Sequence, residues 1–205
     1  LKDGSRVVVS DTENNYLVNI DLTTYTSSVL AGTRAAGSRD GHSSVATFLS
    51  PRGVAEGLAG ELIIADTGNN KIRMIAAAAY TSSPTAAPTE SARGVSTIAG
   101  NGAKGPFDGF GTGAAFSDPV GVAMHPSNQY MFITDTGNHK IRKCICASGQ
   151  VITVAGAGSP SFTDAVGLLA RFNFPRGVAF VLVLEGALIT DSLNHRIRLI
   201  NLITF

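Results

Sequence analysis

The sequence lacks an excess of charge of either sign. Its 205 residues include 16 Lys and Arg against 15 Asp and Glu, so the formal net charge is +1. A chain this balanced has no overall field that would attract nucleic acid or an anionic membrane, and any such binding would have to be local. Apolar residues make up 44% of the chain, which is enough to bury a sizeable core.

Long apolar segments are also missing. No uninterrupted run approaches the roughly 20 residues that a spanning helix needs, and Glu185 and Gly186 interrupt the stretch 178–189. We therefore expect no membrane span. The chain starts at Leu1 without a charged and then apolar leader, so we expect that the native start is missing or that targeting information was removed. Low charge with abundant Gly, Ser and Thr favours an extracytoplasmic or secreted setting.

Cysteine is scarce. The two cysteines, Cys144 and Cys146, are separated by one residue in a segment that we predict to be a strand. Residues i and i+2 of a strand project from one face, which is a poor geometry for a disulfide, and two thiolates are too few for a closed zinc site. We interpret both as packing residues, and we predict no bound metal and no cofactor.

What the sequence does contain is an internal repeat. The segment Pro-X-Gly-Val-Ala begins at Pro51, Pro119 and Pro175, with offsets of 68 and 56 residues. The same offsets relate further landmarks: Ala31-Gly32, Ala99-Gly100 and Ala155-Gly156; Asp40, Asp108 and Asp164; Phe48, Phe116 and Phe172. Equal offsets among separated landmarks predict tandem units, at approximately 1–50, 51–118, 119–174 and 175–205. The longer second unit contains an Ala-, Ser-, Thr- and Pro-rich insertion at 76–94, predicted to be an exposed loop.

Each unit contains short runs of β-type residues bounded by turn residues. In the second unit these are 53–55, 62–65, 71–75 and 95–99, which we name strands a, b, c and d. Between b and c, Thr67-Gly68-Asn69 predicts a tight hairpin in which Gly and Asn supply the backbone freedom. Four strands in each unit, without a helical pattern, favour an all-β propeller over a solenoid. The first unit lacks strand a and the last stops after c, which predicts 14 strands, or about three and a half blades.

Three motifs follow one another from Pro119 to Gly156: Pro-X-Gly-Val-Ala, Asp-Thr-Gly-Asn-His-Lys-Ile-Arg and Val-Ala-Gly. This order resembles the NHL repeat, and the resemblance covers nearly the whole chain in three clear units and a degenerate first one. It implies a propeller of NHL type that binds proteins, nucleic acid or other ligands through one face. Because an unclosed propeller exposes strand edges, we expect the chain to be part of a larger propeller or to pair with another subunit.

The repeated motif around the b to c turn is interpreted as structural, because a residue needed in every blade serves the blade. Its aspartates should accept hydrogen bonds from turn amides, and its arginines should pair with carboxylates or carbonyls of an adjacent blade. His139 and His195 take the place of Asn70 and should cap the turn. The structural set is Asp66, Asn69 and Arg73; Asp135, Asn138 and Arg142; Asp191, Asn194 and Arg198.

Residues that the repeat does not demand are the candidates for binding. Because the strands alternate in direction, the b to c turns and the d to a crossovers should emerge on one face of the disc. Mixed basic and aromatic side chains on Gly-rich crossovers suit contact with a protein or peptide. A competing interpretation is that Phe107 and Phe110 fold back onto the seam between blades. The candidates are Arg34, Arg39, His42, Lys104, Phe107, Phe110 and Phe162.

We therefore predict a non-enzymatic scaffold whose loop face binds a protein partner. Two alternatives stay open. Lys71, Lys140 and Arg196 could form a basic arc for RNA, although no aromatic stacking platform accompanies them. A propeller lyase or hydrolase with an axial metal is the other alternative, although His42 and His125 are isolated in the sequence and no catalytic motif stands out.

Overall fold

Short β-strands dominate the computed structural model, which describes residues 4–77 and 94–202. Within these ranges the only helical segments are single 3₁₀ turns. The strands are β1 Arg6–Asp11, β2 Tyr16–Asp21, β3 Ser27–Ala31, β4 Gly41–His42, β5 Val54–Glu56, β6 Leu62–Asp66, β7 Lys71–Ile75, β8 Gly94–Ala99, β9 Gly109–Phe110, β10 Pro119–Met124, β11 Tyr130–Asp135, β12 Lys140–Ile145, β13 Gln150–Ala155, β14 Pro175–Val181, β15 Gly186–Asp191 and β16 Arg196–Asn201.

These strands form four antiparallel sheets, which are the blades of a β-propeller. Their strand orders are β1-β2-β3 in blade 1, β5-β6-β7-β8-β4 in blade 2, β10-β11-β12-β13-β9 in blade 3 and β14-β15-β16 in blade 4. The predicted fold is confirmed, and within residues 4–77 and 94–202 blade 1 has no strand a and blade 4 has no strand d. Two strands were not predicted. The two-residue strands β4 and β9 belong to crossovers, and each adds to the outer edge of the following blade by pairing with strand d.

The blades pack against one another through three apolar clusters. One lies between blades 1 and 2, one between blades 2 and 3, and one between blades 3 and 4. Strand β6 is buried along its whole length, as expected for a strand enclosed by two neighbouring blades. Blades 1 and 4 each leave one face uncovered among the described residues, and Val7, Val9, Ile197 and Leu199 are exposed there.

Glycine is needed where strand a approaches the next blade. A Cβ atom on Gly121 would overlap the carbonyl oxygen of Arg176 at the start of blade 4. The corresponding glycine of blade 4 is Gly177, whose Cβ would lie 3.0 Å from Thr190 Oγ1 of its own blade. A small residue is therefore needed at Gly121 because the neighbouring blade crowds this position.

The two cysteines have different surroundings, and neither forms a disulfide. Cys144 packs in the cluster between blades 2 and 3, as predicted, and its burial raises the pKa of its thiol to about 11. Cys146 is exposed, because β12 ends at Ile145. The interpretation of Cys146 as a packing residue was therefore wrong.

Residues 78–93 include most of the insertion predicted at 76–94, and they lie outside the described residues. Within the part of the chain that the structure describes, no helix is both long enough and apolar enough to cross a membrane.

Candidate binding face

Each b to c hairpin closes with one 3₁₀ turn followed by a residue in the left-handed region. In blade 2 the turn is Thr67–Asn69, and Asn70 has φ of 52°. The backbone freedom assigned to Gly68 and Asn69 therefore belongs to Asn70. Gly68 has a different purpose, because a Cβ atom there would lie 2.5 Å from Leu49 Cγ and 2.8 Å from its carbonyl oxygen. The turn packs tightly on the crossover.

A buried carboxylate organises the turn in blades 2, 3 and 4. In blade 3, Asp135 Oδ1 accepts a hydrogen bond from the amide of Ser117 at 2.7 Å. Its Oδ2 accepts hydrogen bonds from Asn138 Nδ2 at 2.8 Å and from Arg142 Nη1 at 2.5 Å. Blades 2 and 4 repeat this arrangement. The structural interpretation of these residues therefore fits the contacts, although the backbone amide comes from the crossover and not from the turn.

The repeated arginine extends this network into the crossover. Arg142 Nη2 donates to the carbonyl of Phe107 at 2.7 Å and to Asp108 Oδ1 at 2.8 Å. Its Nη1 also donates to the carbonyl of Ala115 at 3.1 Å, and its guanidinium lies over the ring of Phe116. The partners belong to the same blade and to the crossover that precedes it. The expectation that they come from an adjacent blade was wrong. Because β9 pairs with strand d of blade 3, the crossover runs along the outer edge of that same blade.

The same carbonyl contact recurs in blades 2 and 4. Arg73 Nη2 donates to the carbonyl of Arg39 at 2.8 Å, and Arg198 Nη2 donates to that of Thr163 at 2.7 Å. Residues 39, 107 and 163 thus occupy equivalent positions, and a buried or nearly buried arginine holds the backbone of each one. Their side chains differ from blade to blade.

Phe107 and Phe110 are 65% and 63% exposed. The interpretation in which they fold back onto the blade seam is therefore wrong. Arg39 is exposed as well, and no ion pair of its guanidinium occurs within residues 4–77 and 94–202. Large side chains at these positions project from a backbone that is held in place.

The other candidates lie either beside the turns or at the outer edges of the blades. Beside the turns, the guanidinium carbon of Arg34 lies 5.1 Å from the centre of the Tyr16 ring, and Lys104 Nζ lies 2.6 Å from Asp118 Oδ2. The guanidinium of Arg196 stacks on the Phe162 ring, with its central carbon 3.8 Å from the centre of the ring. His42 and Phe110 differ from these, because they lie on the short strands β4 and β9 at the outer edges of the blades.

The predicted basic arc consists of the first residue of strand c in three successive blades, namely Lys71, Lys140 and Arg196. Lys71 Nζ donates to Ser38 Oγ at 2.6 Å, and the Arg196 guanidinium stacks on Phe162. Two of the three cations are thus engaged with crossover residues.

The b to c turns also join each blade to the next, which the sequence interpretation missed. Thr136 Oγ1 donates to the carbonyl of Pro175 at 2.6 Å, and Thr67 Oγ1 donates to that of Pro119 at the same distance. His139 Nδ1 accepts the amide proton of Phe174 at 3.1 Å. The histidine therefore does more than cap its turn. The recurrence of Thr in the turn and of Pro in the next unit was the available signal.

His125, considered isolated in the sequence, belongs to an aromatic cluster near the a to b loops. Its ring stacks on Tyr130 with centroids 4.4 Å apart and meets the edge of Phe180 at 4.9 Å. These residues line a cavity of about 360 Å³ together with Glu185. No group of three or more His, Cys, Asp or Glu side chains that could hold a metal ion occurs in the described part of the chain.

Several pKa values reflect these environments. Burial raises the pKa of Asp135, although its hydrogen bonds with Asn138 and Arg142 oppose this. Burial also acts to raise the pKa of Asp108, but the amide and hydroxyl of Thr153 and the Arg142 guanidinium outweigh it, so the pKa is lowered. For His139, burial lowers the pKa, which favours the neutral ring that can accept the Phe174 amide proton.

No protein family model matches the chain. Over 99 residues it is 34% identical to the Arabidopsis thaliana protein SUPPRESSOR OF QUENCHING 1, a match that covers 48% of this chain and 9% of that protein. Over 106 residues it is 30% identical to the human NHL repeat-containing protein 2, covering 49% of this chain and 14% of the relative. The chain therefore matches only a small part of each of these curated relatives.

A solved structure similar to the chain is an auxiliary nutrient binding protein from Bacteroides thetaiotaomicron. The TM-score is 0.70 at 21% sequence identity, and the match covers 95% of this chain and 44% of that one. This similarity concerns the fold. The blade architecture, the recurring turn motif and the similarity to NHL repeat-containing relatives together support an NHL-repeat β-propeller.

Proposed function

We propose that the chain is a non-enzymatic scaffold whose crossover face binds a protein partner. The observation that carries this proposal is the arginine contact to the carbonyls of residues 39 and 107. It holds the backbone in place while the side chains of Arg39 and Phe107 project into solvent. The fold explains why the arginines are present, but it does not require an exposed phenylalanine.

The chemistry of the exposed residues supports a protein partner. Arginine and aromatic side chains are enriched among the residues that dominate protein interfaces, and a rigid backbone reduces the entropy lost on binding. The similar Bacteroides structure named as an auxiliary nutrient binding protein adds a propeller with a binding role. Arg34, Lys104 and Phe162 border the proposed surface beside the turns, and His42 and Phe110 border it at the rim.

The test compares two matched double variants in affinity capture followed by mass spectrometry. Arg39→Ala with Phe107→Ala alters the crossover face. Leu58→Ala with Val183→Ala removes exposed apolar side chains from a to b loops on the opposite face. We expect proteins retained by the unaltered chain to be lost with the first variant and kept with the second. Both variants should keep the circular dichroism spectrum of the unaltered chain.

Capture that survives the crossover variant would contradict the proposal. RNA binding gives a different result, because its affinity falls steeply with salt. It would depend on Lys71, Lys140 and Arg196. Nucleic acid retained at low salt and lost when these three residues are replaced would therefore favour the RNA alternative over a protein partner.

A further inference from the structure

The sulfur-containing side chains gather at one place in the molecule. The chain has three methionines and two cysteines, and all five lie at the seam between blades 2 and 3. Met131 and Cys144 are buried in the apolar cluster of this seam, and Met74 and Met124 pack against it. Cys146 joins them at the surface, where its Sγ lies 3.8 Å from Met124 Sδ. Among the described residues, the clusters of the two other seams contain no methionine or cysteine.

The pairing of the strands in blade 3 explains why these side chains meet. Met124 of β10 lies opposite Met131 of β11, and Met131 lies opposite Cys144 of β12. Cross-strand pairs have Cβ atoms about 4.5–5.5 Å apart, so the three residues form one row on the face that packs on blade 2. The amide of Cys146 donates to the carbonyl of Gln129 at 2.9 Å, which continues the pairing past the end of β12. The side chain of Cys146 therefore points to the same face as that of Cys144.

The separation of the sulfur atoms suits a shared metal ion better than a disulfide. Cα atoms two residues apart along a strand are about 6.4–6.8 Å apart, at the upper end of the range for a disulfide. A metal bound to two sulfur atoms at about 2.3 Å each, the length of a zinc–thiolate bond, holds them roughly 4 Å apart in a trigonal arrangement. The 3.8 Å between Cys146 Sγ and Met124 Sδ is already close to this value. An ion can therefore replace the proton that the Cys146 thiol donates to the thioether.

Two thiolates with a thioether favour copper(I) over the other common metal ions. The soft sulfur ligands of cysteine and methionine select Cu(I), whereas a structural zinc site needs four ligands. His, Cys, Asp and Glu alone supply too few ligands at this seam, and the thioether of Met124 completes the set. Met131 lies behind it in the same row and adds a further polarizable sulfur atom to the surroundings.

The local charge also favours a bound cation. Burial and the nearby Glu61 carboxylate raise the pKa of the Cys146 thiol. A bound metal ion reverses this effect, because a coordinating thiol is deprotonated outright, and the negative charge of Glu61 then attracts the ion. The Glu61 oxygens already accept hydrogen bonds from Asn128 Nδ2 at 3.0 Å and from the amide of Ala59 at 3.1 Å. Glu61 therefore contributes its charge without acting as a ligand.

We propose that the seam between blades 2 and 3 binds a copper(I) ion through Cys144 Sγ, Cys146 Sγ and Met124 Sδ. Both thiols release their protons to solvent when the ion binds, and the metal keeps its oxidation state. Cys146 provides the entry path because it is exposed, and the buried Cys144 holds the ion on its inner side. Met124 and Cys146 lie where strands a and c end, on the face opposite the crossover face. This proposal and the proposed function can therefore fail separately.

Anaerobic titration with Cu(I), in competition with the coloured chelator bicinchoninate, measures the stoichiometry and the affinity. We expect the unaltered chain to bind a single ion. Met124→Leu removes the thioether but keeps a side chain of similar volume, and Cys146→Ser removes the exposed thiol. Each should weaken binding at least about tenfold, the smallest loss typical when even an outer-shell partner of a metal ligand is removed. Met74→Leu is the matched control, because it removes a thioether from the blade 2 side of the same seam and should leave the affinity unchanged.

Two further readouts identify the ligands. X-ray absorption at the copper edge should show only sulfur neighbours, at about 2.3 Å. Bound Cu(I) should slow the alkylation of Cys146 by iodoacetamide, because the metal occupies the thiolate that reacts. Circular dichroism should show that all three variants are folded. The proposal is overturned by a lack of Cu(I) uptake, by full affinity in Met124→Leu or Cys146→Ser, by an equal loss in Met74→Leu, by nitrogen or oxygen neighbours of the copper, or by unchanged alkylation of Cys146.

Discussion

Replacing Arg142 by methionine should destabilise the protein by about 3–5 kcal/mol, the loss typical when one partner of a buried ion pair is removed. The Arg142 side chain is fully buried and donates to two carboxylates and two carbonyls. Methionine leaves Asp135, which is also fully buried, without its counter-charge. The loss would be a large share of the roughly 5–15 kcal/mol that stabilises a folded domain.

Urea unfolding followed by circular dichroism measures this change. With a slope of about 2 kcal/mol per molar urea, the midpoint should fall by roughly 1.5–2.5 M. Arg198→Met is the matched control, because it alters the same repeat position in a blade where the arginine is partly reached by solvent and one carboxylate partner is largely exposed. We expect a smaller loss for this variant.

A second control separates lost packing from uncompensated charge. Adding Asp135→Asn to Arg142→Met removes the unpaired negative charge, so the double variant should recover part of the lost stability. A loss below about 1 kcal/mol for Arg142→Met, the level of a surface ion pair, would refute the reasoning. So would a double variant that is less stable than the single one.

Three further predictions concern the joints between blades and the cysteines. Gly121→Ala should cost about 1–3 kcal/mol by forcing blades 3 and 4 apart, whereas Gly177→Ala should cost less because its nearest contact is within its own blade; urea midpoints distinguish the two. Burial lowers the pKa of His139 in the folded protein. The stability that this histidine contributes should therefore be fully present above about pH 6.5, the pKa of histidine in the unfolded chain. It should be lost as the pH falls below that value, because the unfolded state then binds more protons than the folded state. His139→Asn keeps an acceptor, as in blade 2, so thermal melts should show a weaker acid dependence; an unchanged dependence would exclude this role. Iodoacetamide near pH 8 should label exposed Cys146 quickly and Cys144 only on unfolding, because burial and a pKa of about 11 keep Cys144 protonated; equal labelling rates would contradict the packing of β12.

The spacing of the repeats was sufficient to predict the propeller and most of its strands. Each blade is a local unit whose strands follow one another with short turns, so alternating apolar runs and turn residues specify it from neighbouring residues alone. The strands predicted at 62–65 and 71–75 accordingly match β6 and β7 to within a residue. The binding role of the crossover residues and the cellular compartment stay predictions.

The partners of the repeated side chains were decided by the tertiary structure. The sequence marked Arg142 and Asp108 as recurrent, but only the path of the crossover along the outer edge of its own blade shows that they meet, 34 residues apart. The same path places Phe110 at the rim and leaves Phe107 exposed. Recurrence identifies which residues a blade needs, because every copy must satisfy the same local geometry. Which atoms they contact depends on how the long connections lie across the sheets, and residues distant in sequence determine that course.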